Sequence, residues 1–187
     1  MSQCTTAAYS TLVREIDPQL LEQPDFVLCP TTNRALAQAV IKSLKAPGRK
    51  PATFVAVEPD TAAPLWKTLT QTRKSSFGNE VNGEASCEVA WAPLKPAIDV
   101  CTTVSDYESH LANLGLQTAG IKTGLNVASG LAALHQLDIA QKTQLGLIEG
   151  SVIVVICTEG SPDYATPKDV SSDDVITLAQ TLVQIDS

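Results

Sequence analysis

Four short stretches carry the residue types that could do chemistry. Thr31-Thr32-Asn33-Arg34 sets two hydroxyls, a carboxamide and a guanidinium immediately ahead of a helical run. A helix start of that kind offers backbone amides, and with the Arg it could hold a carboxylate or another anion. The plain alternative is an N-cap with a solvent-facing Arg. Glu58, in Val57-Glu58-Pro59-Asp60, is a candidate acid/base or an acceptor for local backbone. Cys157-Thr158-Glu159 closes the longest apolar run of the chain. Cys157 is a nucleophile only where a cation or a helix terminus lowers its pKa, and otherwise a packed thiol. Glu159 is the stronger acid/base candidate, because a partly buried carboxylate titrates nearer neutrality. Asp106 and His110 stand four apart on a helical run, spacing that lets a carboxylate orient an imidazole or simply forms a solvated face. His110 and His135 have no neighbouring Cys at ligand spacing, so no metal site is expected.

The elements that must position these residues alternate strand and helix. Phe26-Val27-Leu28-Cys29 is apolar, and Leu36, Ala37, Val40, Ile41 and Leu44 then recur at helical spacing. Pro47-Gly48 stops that helix before the β-rich run Ala52 to Val57. Strand, helix, strand in this length is a βαβ unit, so the strands are parallel and both faces are covered. Ligands of such sheets sit at the carboxyl ends of the strands, here at Thr31 to Arg34 and at Glu58. A helix over 62–72 and a long polar loop over 73–86 follow, then a short helix over 88–95. Ile98 to Val104 is a third strand, and Ser105 with Glu108 forms a capping box for a helix whose apolar side is Leu111, Leu114 and Leu116. An Ala-rich helix spans 126–137 and a short one 141–147. Ser151 to Cys157, apolar on both faces, reads as the central strand. Ser171 or Ser172 caps a final helix. The expectation is one α/β domain over 1–187, with a helical lead-in over 1–24 and a C-terminal helix over 171–187. Its core is an open, mostly parallel sheet of about four strands with helices on both faces.

Composition narrows the partners. The chain has 187 residues, is 44% hydrophobic, and has a net charge of −7 with its 13 Lys and Arg scattered. That argues against nucleic acid and against an anionic membrane surface. No run approaches the roughly 18 apolar residues that span a bilayer, and the first residues lack a basic-then-apolar leader. Five Cys without metal spacing fit a reduced protein, so a cytoplasmic location is expected.

Several stretches, in order, resemble fold-type II pyridoxal-phosphate (PLP) enzymes. They run from Tyr9-Ser10-Thr11-Leu12 with Glu15-Ile16-Asp17, through Ala37-Gln38-Ala39-Val40 and Val57-Glu58-Pro59-Asp60, to Ala90-Trp91 and Val104-Ser105-Asp106. Gly130-Leu131-Ala132-Ala133-Leu134 and Cys157-Thr158-Glu159-Gly160 complete the series. The chain is similar to the carboxyl-terminal, large-domain half of diaminopropionate ammonia-lyases and their tryptophan-synthase-β-like relatives. The resemblance implies a phosphate loop at Pro30 to Ala35, which here contains no Gly, and a small-residue turn at Thr123 to Ala128 that includes Asn126. It also implies that Cys157 faces the cofactor's pyridine nitrogen. The family's Schiff-base lysine lies in an amino-terminal region, and the nine lysines here fall outside any match to it.

These departures lead to the expectation of a cofactor-independent enzyme, a lyase, isomerase or cyclase working on a small molecule by acid/base chemistry. Glu159, Glu58, Asp106 and Cys157 are its candidate catalytic groups. Thr31, Thr32, Asn33, Arg34, Asn126 and Thr158 are its candidate ligand-binding groups. No cofactor is expected, PLP entering only if a partner chain supplies the lysine. The alternatives are a non-catalytic pseudoenzyme or partner subunit, and the split half of a PLP-dependent ammonia-lyase. Loss of a covering domain would bare a cleft, so a homodimer is expected.

Overall fold

The computed structural model describes residues 3–72, 94–158, 160, 162–169 and 183–184. Four parallel strands form the sheet: β1 (Phe26–Pro30), β2 (Thr53–Pro59), β3 (Val100–Val104) and β4 (Ile153–Val155). A two-residue strand, β5 (Val183–Gln184), pairs antiparallel with β3, and the spatial order is β4-β1-β2-β3-β5. Register follows from apolar alternation: Leu28 stands beside Val55 and Val155, and Cys29 beside Ala56. Every residue of β1 and β3 is buried, as parallel strands covered on both faces require.

Helices α1 (Gln3–Ile16), α2 (Arg34–Leu44) and α3 (Pro64–Thr72) supply one face. Val13, Leu36, Val40, Leu44 and Leu65 pack there on Val27, Phe54 and Ile156. Helices α4 (Asp106–Thr118) and α5 (Leu125–Gln136) lie over the other face, with Ala112, Ala128 and Ala132 against Leu28, Val55 and Val100. A short α6 (Ile139–Gln144) follows. Each large apolar side chain buried fully in these two layers stabilises the fold by about 1.5–3 kcal/mol.

The amino ends of the strands are braced by ions. Asp25 accepts from the Val152 amide at 2.8 Å and from Lys50 Nζ at 2.5 Å, which ties β4 to β1. Asp99 accepts from the Phe54 amide and from Lys45 Nζ, both at 2.7 Å, which ties β3 to β2. The carboxyl ends carry the polar residues.

Four expectations change. β4 is an edge strand with half-buried residues, not the central one; two apolar faces report burial on both sides of a strand, not its place in the sheet order. Among the described residues, no strand pairs with its outer edge. α4 buries Ser109, Ala112 and Asn113, while Leu111 and Leu114 are exposed; small residues let it approach the Ala-rich α5 closely. The short helix expected over 141–147 is α6, ending at Gln144, and its capping box joins Asp138 to Gln141. The 73–86 loop lies outside the described residues. So do nearly all of the 88–95 and 171–187 segments, but Val183–Gln184 is strand rather than helix.

Candidate functional site

The turn between β1 and α2 is held internally. Asn33 is the N-cap of α2, and its Oδ1 accepts from the amides of Ala35 at 3.0 Å and Leu36 at 3.4 Å. Its Nδ2 donates to the Tyr9 hydroxyl at 2.8 Å. Thr31 is buried, and both its amide and its hydroxyl donate to the Val57 carbonyl, at 2.9 and 3.2 Å. Thr32 is exposed and points the other way: its hydroxyl donates to Asn126 Oδ1 in the first turn of α5, at 3.2 Å. Arg34 opens α2, half-buried. Thr32 and Asn126 are thus the two expected ligand-binding residues that the fold brings into direct contact.

Glu58 is only 1% exposed. Its carboxylate accepts from the amides of Leu65 at 3.1 Å and Trp66 at 2.8 Å, capping α3, which starts at Pro64 without a capping side chain of its own. Burial pushes its pKa up against the pull of those two amides and of Lys67. Both oxygens are committed to the helix. Asp106 stands exposed at the start of α4, whose cap is made by Ser105 and Glu108. It does not orient His110. The His110 Nδ1 pairs instead with the Tyr164 hydroxyl at 3.0 Å, and Asn113 Nδ2 donates to the same hydroxyl at 2.8 Å. Asp60 lies close enough to Asp106 and Glu108 that, after burial, their charges help raise its pKa. The β2–β3 side of the strand ends is therefore acidic, and the β1–α2 side carries Arg34.

Cys157 and Thr158 follow β4 and are exposed. Partial burial of the sulfur pushes the Cys157 thiol up, opposite to the depression a nucleophile needs. Cys29, buried in β1, is pushed up to about 12. Glu159 lies outside the described residues. Among the described residues, no group of His, Cys, Asp and Glu could hold a metal ion, and no helix is long and apolar enough to cross a membrane.

Residues outside the candidate catalytic and ligand-binding sets also shape this end of the sheet. The N-cap of α5 is Gly124, which provides no side-chain cap. Beside it Thr123 is 1% exposed and its hydroxyl has no hydrogen-bond partner. Tyr164 and the fully buried Asn113 form the other unexpected cluster. The small-residue turn at Thr123 to Ala128 that the resemblance implies was the signal for the first; Tyr164 carried none.

A sequence profile of the family described as pyridoxal-phosphate dependent enzyme matches residues 2–159. The chain belongs to this family. Comparison with curated proteins finds no match. Among solved structures, the PLP-family fold is shared with diaminopropionate ammonia lyase from Escherichia coli (23% identity, TM-score 0.65, covering 83% of this chain and 44% of that one). It is shared also with serine racemase from Dictyostelium discoideum (20%, TM-score 0.61, 85% and 51%) and L-serine ammonia-lyase from Rhizomucor miehei (19%, TM-score 0.60, 83% and 52%). The chain spans about half the length of these structures.

Family membership corrects the expectation that no cofactor is involved: the matched family is PLP-dependent, which points to PLP. The donor set fits its phosphate at one of the two helix starts. The first amides of α2 are taken by Asn33, but α5 has an uncapped start beside an unpartnered buried hydroxyl, with Thr32 and Asn126 joined at its mouth. Uncapped amides and a hydroxyl are what a phosphoryl group accepts from.

Proposed function

We propose that this chain furnishes the large-domain part of a PLP-dependent ammonia-lyase-type site acting on an amino acid. The Schiff-base lysine comes from polypeptide outside these 187 residues. The observation that carries the reading is the buried, unpartnered Thr123 hydroxyl beside the uncapped start of α5. PLP, when bound, supplies an electron sink beside the substrate's α-carbon. The protein's part is placement. Thr123, Asn126 and the first amides of α5 would hold the phosphate, and Thr32 would orient Asn126. Arg34 would meet the substrate carboxylate as a charge-assisted donor. Cys157, its thiol kept protonated at Sγ, and Thr158 would line the side next to β4. A groove of ≈ 450 Å³ between α1 and β4, lined by Leu12, Ile16, Ile153 and Val155, supports a second polypeptide against that edge.

Equilibrium dialysis with PLP and with pyridoxal, which lacks the phosphate, tests this. PLP is expected to bind more tightly than pyridoxal, and borohydride to trap no cofactor on this chain alone. Thr123→Val deletes a buried hydroxyl that has no partner, so the free protein keeps its stability while PLP binding weakens about fivefold, the worth of one hydrogen bond. Equal affinity for PLP and pyridoxal, or binding of neither, overturns the assignment.

A further inference from the structure

The chain that leaves β4 at Cys157 and Thr158 is tied down again at Tyr164, on a helix that belongs to a different strand. Tyr164 is half-buried, and its ring meets the His110 ring edge-on with centroids 5.7 Å apart. Its hydroxyl sits between two side chains of α4, one turn apart: Asn113 Nδ2 at 2.8 Å and His110 Nδ1 at 3.0 Å. α4 follows β3, which lies two strands beyond β1 from β4 in the sheet order. The contact therefore fastens the segment after β4 to the opposite side of the strand ends.

We propose that Tyr164 is a positioning residue, whose hydroxyl, clamped by His110 and Asn113, straps the segment after β4 in place, and that the clamp depends on a neutral His110. This inference rests on the proposed site in one respect: that site is what the strap borders. The proton arrangement follows from donor and acceptor capacity. Asn113 Nδ2 can only donate, so the Tyr164 oxygen accepts there. In the proposed clamp the single hydroxyl proton goes to His110 Nδ1 as the unprotonated nitrogen, with the ring proton on Nε2. Within the clamp, Asn113 Oδ1 is buried without a partner. Protonation of His110 puts a donor at Nδ1. The hydroxyl oxygen then faces two donors and its own proton loses its acceptor. The vacant acceptor beside it is Asn113 Oδ1, reached only if the amide turns over. The clamp loosens on protonation for that reason. The charged and titratable groups near His110 are Asp106, Tyr107 and Glu108 on its own helix, Asp60 from the end of β2, and Asp163 and Tyr164 on the strap. All but Tyr164 itself are common to every variant compared below.

Hydrogen exchange over residues 162–169 of the full chain, corrected for the intrinsic pH dependence, reads the strap directly. The wild-type strap is expected to be protected at neutral pH and to lose protection on acidification. Tyr164→Phe keeps the ring and its packing on His110 but loses the hydroxyl. Its strap is expected to exchange about fivefold faster at neutral pH, with global unfolding unchanged. His110→Asn places a non-titrating acceptor near the position of Nδ1, so its strap should stay protected at both pH values. A purely structural histidine would not give that flat profile. Wild-type exchange as fast as that of Tyr164→Phe at neutral pH overturns the clamp, and an acid step that survives in His110→Asn overturns its dependence on His110. Neither readout involves PLP, so failure of cofactor binding and failure of the clamp are told apart.

Discussion

Gly130 sits in the middle of α5 where the helix crosses β4 and β1, and the structure predicts what a single methyl group does there. A Cβ built at this position lies 2.7 Å from Val155 Cγ1, 3.6 Å from Leu28 Cβ and 3.8 Å from the Leu28 carbonyl. The backbone is ordinary helix, so conformation alone favours alanine by about 0.8–1 kcal/mol. The contact with Val155 opposes it. At 2.7 Å two carbons overlap, and Val155 is a stiff, branched side chain that cannot swing aside as a long one would. Overpacking of this size costs about 1–3 kcal/mol. The net expectation for Gly130→Ala is a loss of up to about 2 kcal/mol, read as a lower urea midpoint at unchanged slope. Val155→Ala removes the obstructing methyls, at the cost of its own packing. In that background Gly130→Ala should turn stabilising by about 1 kcal/mol as the helix preference returns. The double-mutant cycle therefore carries a coupling of about 1–3 kcal/mol between two residues 25 apart in sequence. A Gly130→Ala variant that raises the midpoint in the wild-type background refutes the close approach of α5 to β4, and additive effects refute its assignment to Val155.

Two further perturbations test the strand ends. Glu58 has its folded pKa raised by burial, so its contribution to stability is full below its unfolded pKa and is lost as pH rises through the folded value. Glu58→Gln, which resembles the protonated acid, should match wild type in acid and lack that loss toward neutrality in pH-dependent urea melts; parallel profiles would show that Glu58 does not carry the slope. Asn33→Ala strips the amides of Ala35 and Leu36 and the Tyr9 contact from the start of α2. It should cost about 1 kcal/mol, with Asn33→Asp retaining most of the cap, and an unchanged melting curve for Asn33→Ala would mean that α2 does not depend on it.

Those perturbations mark where reading from sequence succeeds. Local periodicity and capping chemistry place β1, α2, β2, β3 and the Ser105–Glu108 box, because each is decided by residues within one or two turns. Which strand lies at the edge is decided by pairing between Phe26 and Ile153, 127 residues apart, and no local pattern reports it. The same limit governs the site. Glu58 looked like an acid/base because a strand-end carboxylate in an α/β sheet often is one. Its partners are seven and eight residues on, and the absence of a capping residue before Pro64 was the available clue. α4 misled in a different way: its leucines suggested the buried face, yet Asn113 is fully buried and Leu111 is not. A buried Asn at the centre of a helix has to be answered by another polar group, and that group, Tyr164, lies 51 residues away on a segment with no repeating pattern. In this chain the caps find their partners within eight residues, while the Tyr164 clamp and the Thr32–Asn126 pair join residues 51 and 94 apart. Residue type therefore narrowed the chemistry at each strand end, and the contacts of the fold decided which of those residues are already engaged. Asn33 and Glu58 serve the fold, whereas the Thr123 hydroxyl is left buried without a partner beside the start of α5.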